Sequence, residues 1–316
     1  MEYKHVPVML AEVLEYLRAE PGQNIIDCTM GGAGYTMAIA ERINPGKVLA
    51  IDLDQLAIEN AKKILAKNKI KNVIIVNDNF RNIKKIAEEN MESAAENKFD
   101  GIVFDLGLSS AQLEDRTRGF SFKADAPLNM SFNQAGEIST EDIVNTWPEA
   151  ELTRIIREYG EERFAHKIAR KIIETRKTEE IKTTGQLIAI IKRSLPGFYL
   201  RKKGIHFATL TFQALRIATN EELVSLEEAL ANALKLLKKG GRIIVISYHS
   251  LEDRIVKQFF KKENIGCICP PRQPVCQCEH EASLKSVTRK VLIPTETEVE
   301  ENPRARSAKM RVAEKL

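Results

Sequence analysis

Short apolar runs alternate with amphipathic stretches from residue 24 onward. Asn24-Ile25-Ile26-Asp27-Cys28 has the length and β-branched content of a buried strand, and the glycine-rich turn behind it opens a helix predicted to run through Arg42. Lys47 to Asp52 forms a second strand pattern, followed by a helix with Ile58, Ala61 and Leu65 at helical spacing. Val73 to Val76 and Gly101 to Asp105 complete four strands. Strands separated by helices of this length predict parallel βαβ units and an α/β doubly wound sheet. Then the rhythm changes. Residues 114–215 carry mostly helical patterns, among them Leu152, Ile155 and Ile156, and Phe164, Ile168 and Ile172. A strand returns at Gly240 to Ile246 behind a long amphipathic helix expected to end near Lys239. A parallel sheet cut after its fourth strand would leave unpaired edge groups, so the returning strand belongs to the same sheet. The expected organisation is a discontinuous core, 1–113 and 216–316, with a helical insertion at 114–215.

Composition narrows the class. The chain has 316 residues, 43% hydrophobic and 29% charged, enough apolar surface for a buried core. Forty-eight Lys+Arg against 44 Asp+Glu leave +4, which excludes a polycation but allows a local basic face. No apolar run approaches the roughly 20 residues of a membrane span, and the first ten residues lack a signal-peptide pattern. A cytoplasmic protein with no membrane partner is expected, and a homodimer stays open. Of five cysteines, Cys28 stands alone while Cys267, Cys269, Cys276 and Cys278 crowd into one segment. That is not the spread of a secreted disulfide framework.

The first βα loop, Asp27 to Gly34, points to ligand chemistry. Small residues let backbone approach a ligand closely, and the following helix start offers free N–H groups. Asp52 ends the second strand, where an acid can accept from ribose hydroxyls; Asp78-Asn79-Phe80 follows the third and suits an adenine edge and face. Three successive strand ends would share one crevice. The dinucleotide fingerprint fails at its third glycine, because Met37 stands there, and no Walker-type lysine follows. S-adenosylmethionine, with ribose and adenine but no pyrophosphate, fits better; a nicotinamide-dependent oxidoreductase is the weaker alternative.

Eight blocks in order then carry a resemblance. They are His5-Val6-Pro7-Val8, Asp27 to Gly32, Asp105 to Gln112, Arg118 to Phe122, Tyr159 to Arg163, Thr211 to Ile217, Ser247 to Arg254 and Asn302 to Ala308. Together they resemble the ribosomal RNA small-subunit methyltransferase H family over essentially the whole chain. The resemblance implies a class I S-adenosylmethionine-dependent methyltransferase fold, Rossmann-like, with an inserted helical domain. It further implies methyl transfer to the exocyclic N4 of a decoding-centre cytidine of 16S rRNA in the small ribosomal subunit. Carried onto this chain, the cofactor positions are Ala33, Gly34, Tyr35, Asp52, Phe80, Asp105 and Gln112. The family's Gly-Gly-His appears here as Ala33-Gly34-Tyr35. Two further family patterns appear as Pro127-Leu128-Asn129-Met130-Ser131 and His206-Phe207-Ala208-Thr209-Leu210, with charges lost at Asn129, Ser131 and Leu210. Those losses keep a catalytically weakened rRNA-binding assembly factor as a further alternative.

An N4 amine is a poor nucleophile because its lone pair is delocalised into the ring. A positioned hydrogen-bond acceptor is therefore needed, and Asp105 is the first candidate for the catalytic group; its plain structural role would be to cap the next turn. An aromatic to hold the base could come from Phe120, Phe122, Tyr248 or His249, while Phe120 and Phe122 could equally be core and His249 a strand-end residue. RNA contact has a candidate in the acid-free stretch Lys192 to Lys203, where Lys192, Arg193, Arg201, Lys202 and Lys203 bracket Phe198 and Tyr199. The plain alternative is a solvated loop. The basic tail Asn302 to Arg311 is expected to fold back over the cofactor edge or to contact RNA. The cysteine cluster, Cys-x-Cys-x6-Cys-x-Cys, departs from the two-residue spacing of a zinc knuckle. A reduced or disulfide-prone surface loop with no metal is the expected reading, and structural zinc the alternative.

Overall fold

The computed structural model describes residues 7–91, 99–109, 112, 113, 115, 117–121, 125–133, 138–201, 204–270, 273 and 275–316. The chain divides into two units, one made of the segments up to Gly107 and from Leu223 onward, the other of Leu108–Glu222.

The first unit is built on seven strands: β1 (Ile25–Asp27), β2 (Val48–Asp52), β3 (Val73–Asn77), β4 (Phe99–Asp105), β5 (Leu237–Ser247), β6 (Leu284–Ser286) and β7 (Lys309–Lys315). Their order across the sheet is β3-β2-β1-β4-β5-β7-β6. Pairing is parallel from β3 to β5 and antiparallel at β5–β7 and β7–β6. The doubly wound sheet expected from the alternation of strands and helices is thus observed. The strand order reverses at β1, which lies between β2 and β4, and that reversal opens a crevice at the carboxyl ends of the strands.

Side chains alternate across this sheet with period two. Ile26, Leu49, Ile51, Ile102, Phe104, Ile243 and Val245 bury one face against α4 (Ile83–Asn90) and the helices Glu222–Leu236 and Ser250–Glu263. Ile25, Val48, Ala50, Val103, Ile244 and Ile246 bury the other against α1 (Leu10–Leu17), α2 (Gly34–Ile43) and α3 (Gln55–Lys67). Cover on both faces explains why the central strands read as unbroken apolar runs.

The tail corrects one expectation. Lys309–Lys315 is not draped over a ligand edge; it is β7, inserted between β5 and β6. Its Met310, Val312 and Ala313 are buried, and Arg311 donates to Asp253 Oδ1 at 2.7 Å, with Lys309 3.6 Å from the same carboxylate. Two cations on Asp253, and above all the Arg311 hydrogen bond, outweigh its partial burial and hold its carboxyl below the usual range.

The second unit, Leu108–Glu222, is helical: α5 (Thr140–Thr146), α6 (Glu149–Glu158), α7 (Ala165–Arg176), α8 (Thr184–Ser194), α9 (Gly197–Leu200) and α10 (Thr209–Asn220). Ile143, Leu152, Ile155, Ile156, Ile168, Ile172, Leu187 and Leu215 form its core. Ser139 and Thr183 open α5 and α8 through reciprocal capping boxes with Asp142 and Gln186, which fixes where those helices begin. By chain order the helices Glu222–Leu236, Ser250–Glu263 and Glu296–Glu301 are α11, α12 and α13. Among the described residues no helix is long and apolar enough to cross a membrane.

Candidate active site

Three carboxylates stand at the carboxyl edge of the sheet. Asp27 ends β1, Asp52 ends β2 and Asp105 ends β4. Asp27 is fully buried and accepts from Thr36 Oγ1 at 2.6 Å and from the Thr29 N–H at 3.2 Å. It therefore anchors both the loop and the first turn of α2. Burial pushes its carboxyl up to about 6, against the lowering effect of those hydrogen bonds. Asp52 accepts from the Gly31 N–H at 2.7 Å and the Asp54 N–H at 2.8 Å. Burial likewise pushes it up to about 6, and the Asp54 and Asp27 charges add to that. One bond per oxygen leaves further lone pairs on a carboxylate, so Asp52 both shapes the glycine loop and keeps acceptor capacity for hydroxyls.

The loop itself is held tightly. Met30 N–H donates to the Ile51 carbonyl at 2.9 Å, and Ala33 N–H to the Met30 carbonyl at 2.8 Å. Ala33 adopts φ +62°, a left-handed state that costs an L-residue about 1–2 kcal/mol and that the family's glycine would take freely. At Gly34 the need for glycine is steric, since a Cβ there would overlap the ring of Pro7. Tyr35, expected at the cofactor, has its side chain only 2% exposed; its hydroxyl donates to the Val8 carbonyl. Any contact it makes to a ligand falls to its main chain in the first turn of α2, where N–H groups have no intrahelical acceptor. The Asp78-Asn79-Phe80 stretch is organised inward. Asp78 Oδ1 accepts from the Asn79 N–H, Asn79 Oδ1 from the Arg81 N–H, and Phe80 stands edge-on to Phe104 with centroids 5.8 Å apart.

Asp105 is half-buried, and Tyr248 at the end of β5 donates its hydroxyl to Asp105 Oδ1 at 2.7 Å. The Asp105 N–H donates to Thr29 Oγ1 at 2.7 Å, which ties β4 to the β1 loop. Burial pushes the Asp105 carboxyl up to about 7; the Tyr248 hydrogen bond lowers it, and the nearby Asp27 and Glu252 charges raise it again. Burial, and then the Asp105 charge, drive the Tyr248 phenol far above its ordinary value, so it remains a donor. Gly107 follows at φ +104°, and a Cβ on it would lie 3.1 Å from Tyr248 Cδ2. The turn after β4 therefore needs glycine to let the tyrosine reach the aspartate.

Sequence reasoning placed Tyr248 only as a possible stacking ring; its pairing with Asp105 spans 143 positions and leaves no local signal. His249 is a helix cap. Its Nδ1 takes the Glu252 N–H at 3.5 Å, while Glu252 Oε2 accepts from the Tyr248 and His249 N–H groups at 2.9 and 3.2 Å. That network fixes the backbone from which Tyr248 projects.

In the helical unit, Gln112 Oε1 accepts from the Ser109 N–H at 3.0 Å. Phe120 is core, stacked on Phe132 at 5.5 Å with Arg118 over its ring, whereas Phe122 lies outside the described residues. Asn129 accepts from the Ser131 N–H at 2.8 Å, so these two positions serve loop geometry. Lys192, Arg193 and Arg201 are exposed; Lys202 and Lys203 lie outside the described residues. Tyr199 is half-buried. Its hydroxyl donates to Glu162 Oε2 at 2.8 Å and its ring meets Phe164 edge-on at 5.0 Å. Phe198, 60% exposed, is the more open ring, and Arg163 and Lys167 stand 4.9 and 5.7 Å from the Phe164 centroid. Cations and rings are thus interleaved on one surface, with Phe198 rather than Tyr199 as its free face.

Comparison with known proteins identifies the family. Residues 2–316 match the MraW methylase family. A protein of Brevibacillus brevis named ribosomal RNA small subunit methyltransferase H is 46% identical over 317 residues, covering all of this chain and 99% of the relative. Proteins of the same name from Dehalococcoides mccartyi and Finegoldia magna are 49% and 43% identical over 320 and 316 residues; all of this chain is covered, with 87% and 100% of theirs.

Proposed function

The chain belongs to the MraW methylase family, and from that premise we propose that it transfers the methyl group of S-adenosylmethionine to the N4 amine of a cytidine in 16S rRNA, at the decoding centre of the small ribosomal subunit. The family membership and the relatives' name support rRNA methylation. The finer assignment to N4 rests on the chemistry of the β4 end. The observation that carries it is Asp105: a carboxylate pushed up to about 7, held on one oxygen by Tyr248.

The residues present fit a cationic nucleoside. Asp27, Asp52 and Asp105 concentrate negative charge around the β1 loop, and each is disfavoured by burial until a positive charge arrives. When bound, S-adenosylmethionine supplies an electrophilic methyl on a positively charged sulfur. Asp52 would hold the ribose hydroxyls, Ala33, Gly34 and Tyr35 would present main chain, and Phe80 would flank the base. Gln112 is assigned to the cofactor on the resemblance.

Asp105 acts on the nucleophile. Tyr248 engages Oδ1, which leaves the second oxygen, Oδ2, to accept the amine's N–H. Drawing density from that bond localises the nitrogen lone pair as the new bond forms. A carboxyl near 7 is matched to proton acceptance at neutral pH, an effect worth about 10²–10⁴-fold. The target base has to be unstacked to present its amine. In the helical unit, Lys192, Arg193 and Arg201, with Lys202 and Lys203 beside them in sequence, meet the RNA backbone while Phe198 offers the open ring and the half-buried Tyr199 supports it.

The test is transfer of labelled methyl to undermethylated small subunits and, separately, to naked 16S rRNA, followed by nucleoside digestion and mass spectrometry. Label in N4-methylcytidine is expected. Label in another nucleoside would refute the N4 assignment, and no transfer from a chain that binds the cofactor would favour the assembly-factor reading raised by Asn129, Ser131 and Leu210.

A further inference from the structure

The four cysteines between α12 and β6 take no part in the chemistry above, and they converge. The Sγ atoms of Cys267, Cys269, Cys276 and Cys278 all lie within 4.8 Å of one another. Individual separations are 3.5 Å (Cys267–Cys276), 3.6 Å (Cys276–Cys278), 3.8 Å (Cys267–Cys278) and 4.0 Å (Cys269–Cys276). All four are free thiols. A disulfide requires about 2.05 Å between sulfurs, whereas a tetrahedral ion with metal–sulfur bonds of about 2.3 Å sets its ligands about 3.8 Å apart. The observed separations straddle the second value.

The one-residue spacing that argued against a knuckle has its own logic. Ile268, between the first two cysteines, donates its N–H to Cys278 Sγ at 3.4 Å. Gln277, between the last two, donates to Cys269 Sγ at 3.4 Å. Each Cys-x-Cys arm thus supplies a backbone donor to a sulfur of the other. Such outer-shell hydrogen bonds stabilise charge on ligating thiolates and orient them.

Among its described residues the segment has little apolar packing to hold its shape. Ile268 is 44% and Val275 69% exposed, so it buries little apolar surface. Its base is clamped to the end of α12, with the Ser283 N–H on the Glu263 carbonyl at 2.8 Å and His280 Nε2 2.9 Å from the Lys262 carbonyl. Above that clamp the four sulfurs are the convergence point. Small substructures without a core are commonly held by a metal whose binding energy is folding energy.

We infer that Cys267, Cys269, Cys276 and Cys278 form a structural tetrathiolate site for one zinc ion, with the Ile268 and Gln277 amides as its outer shell. Four thiolates with tetrahedral spacing select a soft divalent ion, and a fully protein-ligated site leaves no position for substrate, so the role is structural. The inference is independent of the methyl-transfer reading.

The experiment uses the full chain, expressed without added metal and purified under reducing conditions without chelator. Elemental analysis should find about one zinc per chain. Exchange into cobalt(II) should produce a thiolate charge-transfer band and the intense visible bands of a tetrahedral site. The double variant C276S/C278S should lose both the zinc and the cobalt spectrum. If that variant does not fold, wild-type amide exchange before and after chelation decides, with Ile268 and Gln277 losing protection on metal removal. Zinc below roughly a tenth per chain with no cobalt spectrum, two disulfides by intact mass, or stoichiometric iron in place of zinc would each overturn the assignment.

Discussion

Asp105→Asn separates the catalytic value of this carboxylate from its cost to the fold. The substitution keeps an acceptor for the Tyr248 hydroxyl but removes the charge. Asp105 has an ordinary value of 3.8 and titrates near 7 in the folded chain. Between those values the folded state binds the proton more tightly than the unfolded state, so stability falls as pH rises through that window and stays reduced above it. Three units correspond to about 4 kcal/mol at pH 8. Below about pH 4 both states of the wild type are protonated and the difference vanishes. The variant should therefore melt higher than wild type at pH 8, by about 8–16 °C at 2–4 °C per kcal/mol for a unit of this size, with the gap closing toward pH 4–5. Methyl transfer should fall by at least about 10²-fold. Calorimetric melts of both proteins across pH 4–8, without cofactor, make the comparison. Equal melting shifts at both ends of the range, or a variant less stable at pH 8, would refute the placement of a strained charge at β4.

Other outcomes follow from the same contacts. Tyr248→Phe removes the hydrogen bond that lowers the Asp105 carboxyl, worth about 1.5–3 kcal/mol to a charged group, so the acid limb of the pH–rate profile should move up by one to two units. Gly107→Ala should lower stability by about 1–3 kcal/mol through its φ of +104°, and lower kcat by pressing on the Tyr248 ring, measured by melting and by turnover. Tyr35→Phe leaves the buried Val8 carbonyl without its donor and should cost about 1–3 kcal/mol in a denaturant titration. Replacing Lys192, Arg193 and Arg201 together by alanine should weaken single-stranded rRNA binding and reduce the slope of log affinity against log salt by about 2, with an unchanged slope ruling out phosphate contact there.

Much of the core was legible because its strands obey simple periodicities. Apolar runs at β1, β2, β3, β4 and β5 are what a sheet covered on both faces requires, and Asp52 and Asp105 sit at strand ends that any parallel sheet would bring to one edge. What escaped was set by distant partners. Lys-Met-Arg-Val-Ala-Glu-Lys reads as a basic tail until Arg311 and Lys309 find Asp253, and only then is it the strand β7 that fills the sheet beside β5. His249 caps α12 in the place usually held by serine or threonine, so the capping box with Glu252 is hidden in a His-Ser-Leu-Glu sequence. The Asp105–Tyr248 bond joins two strand ends, and nothing in the residues around either one announces the other. The cysteine spacing pointed away from a knuckle because the cross-donation by Ile268 and Gln277 exists only once the two arms face each other.

The central claim is that Asp105, a carboxylate poised near neutrality, lies close enough to the bound cofactor for its charge to offset that of the positive sulfur while it accepts from the amine. Isothermal titration calorimetry of S-adenosylmethionine into the full chain at pH 6 and pH 8 tests it most directly. A group near 7 is about one-tenth ionised at pH 6 and about nine-tenths at pH 8, so affinity should tighten about tenfold over that interval, with proton release on binding at the lower pH. Affinity that is independent of pH, or no detectable binding by folded protein, would contradict the account.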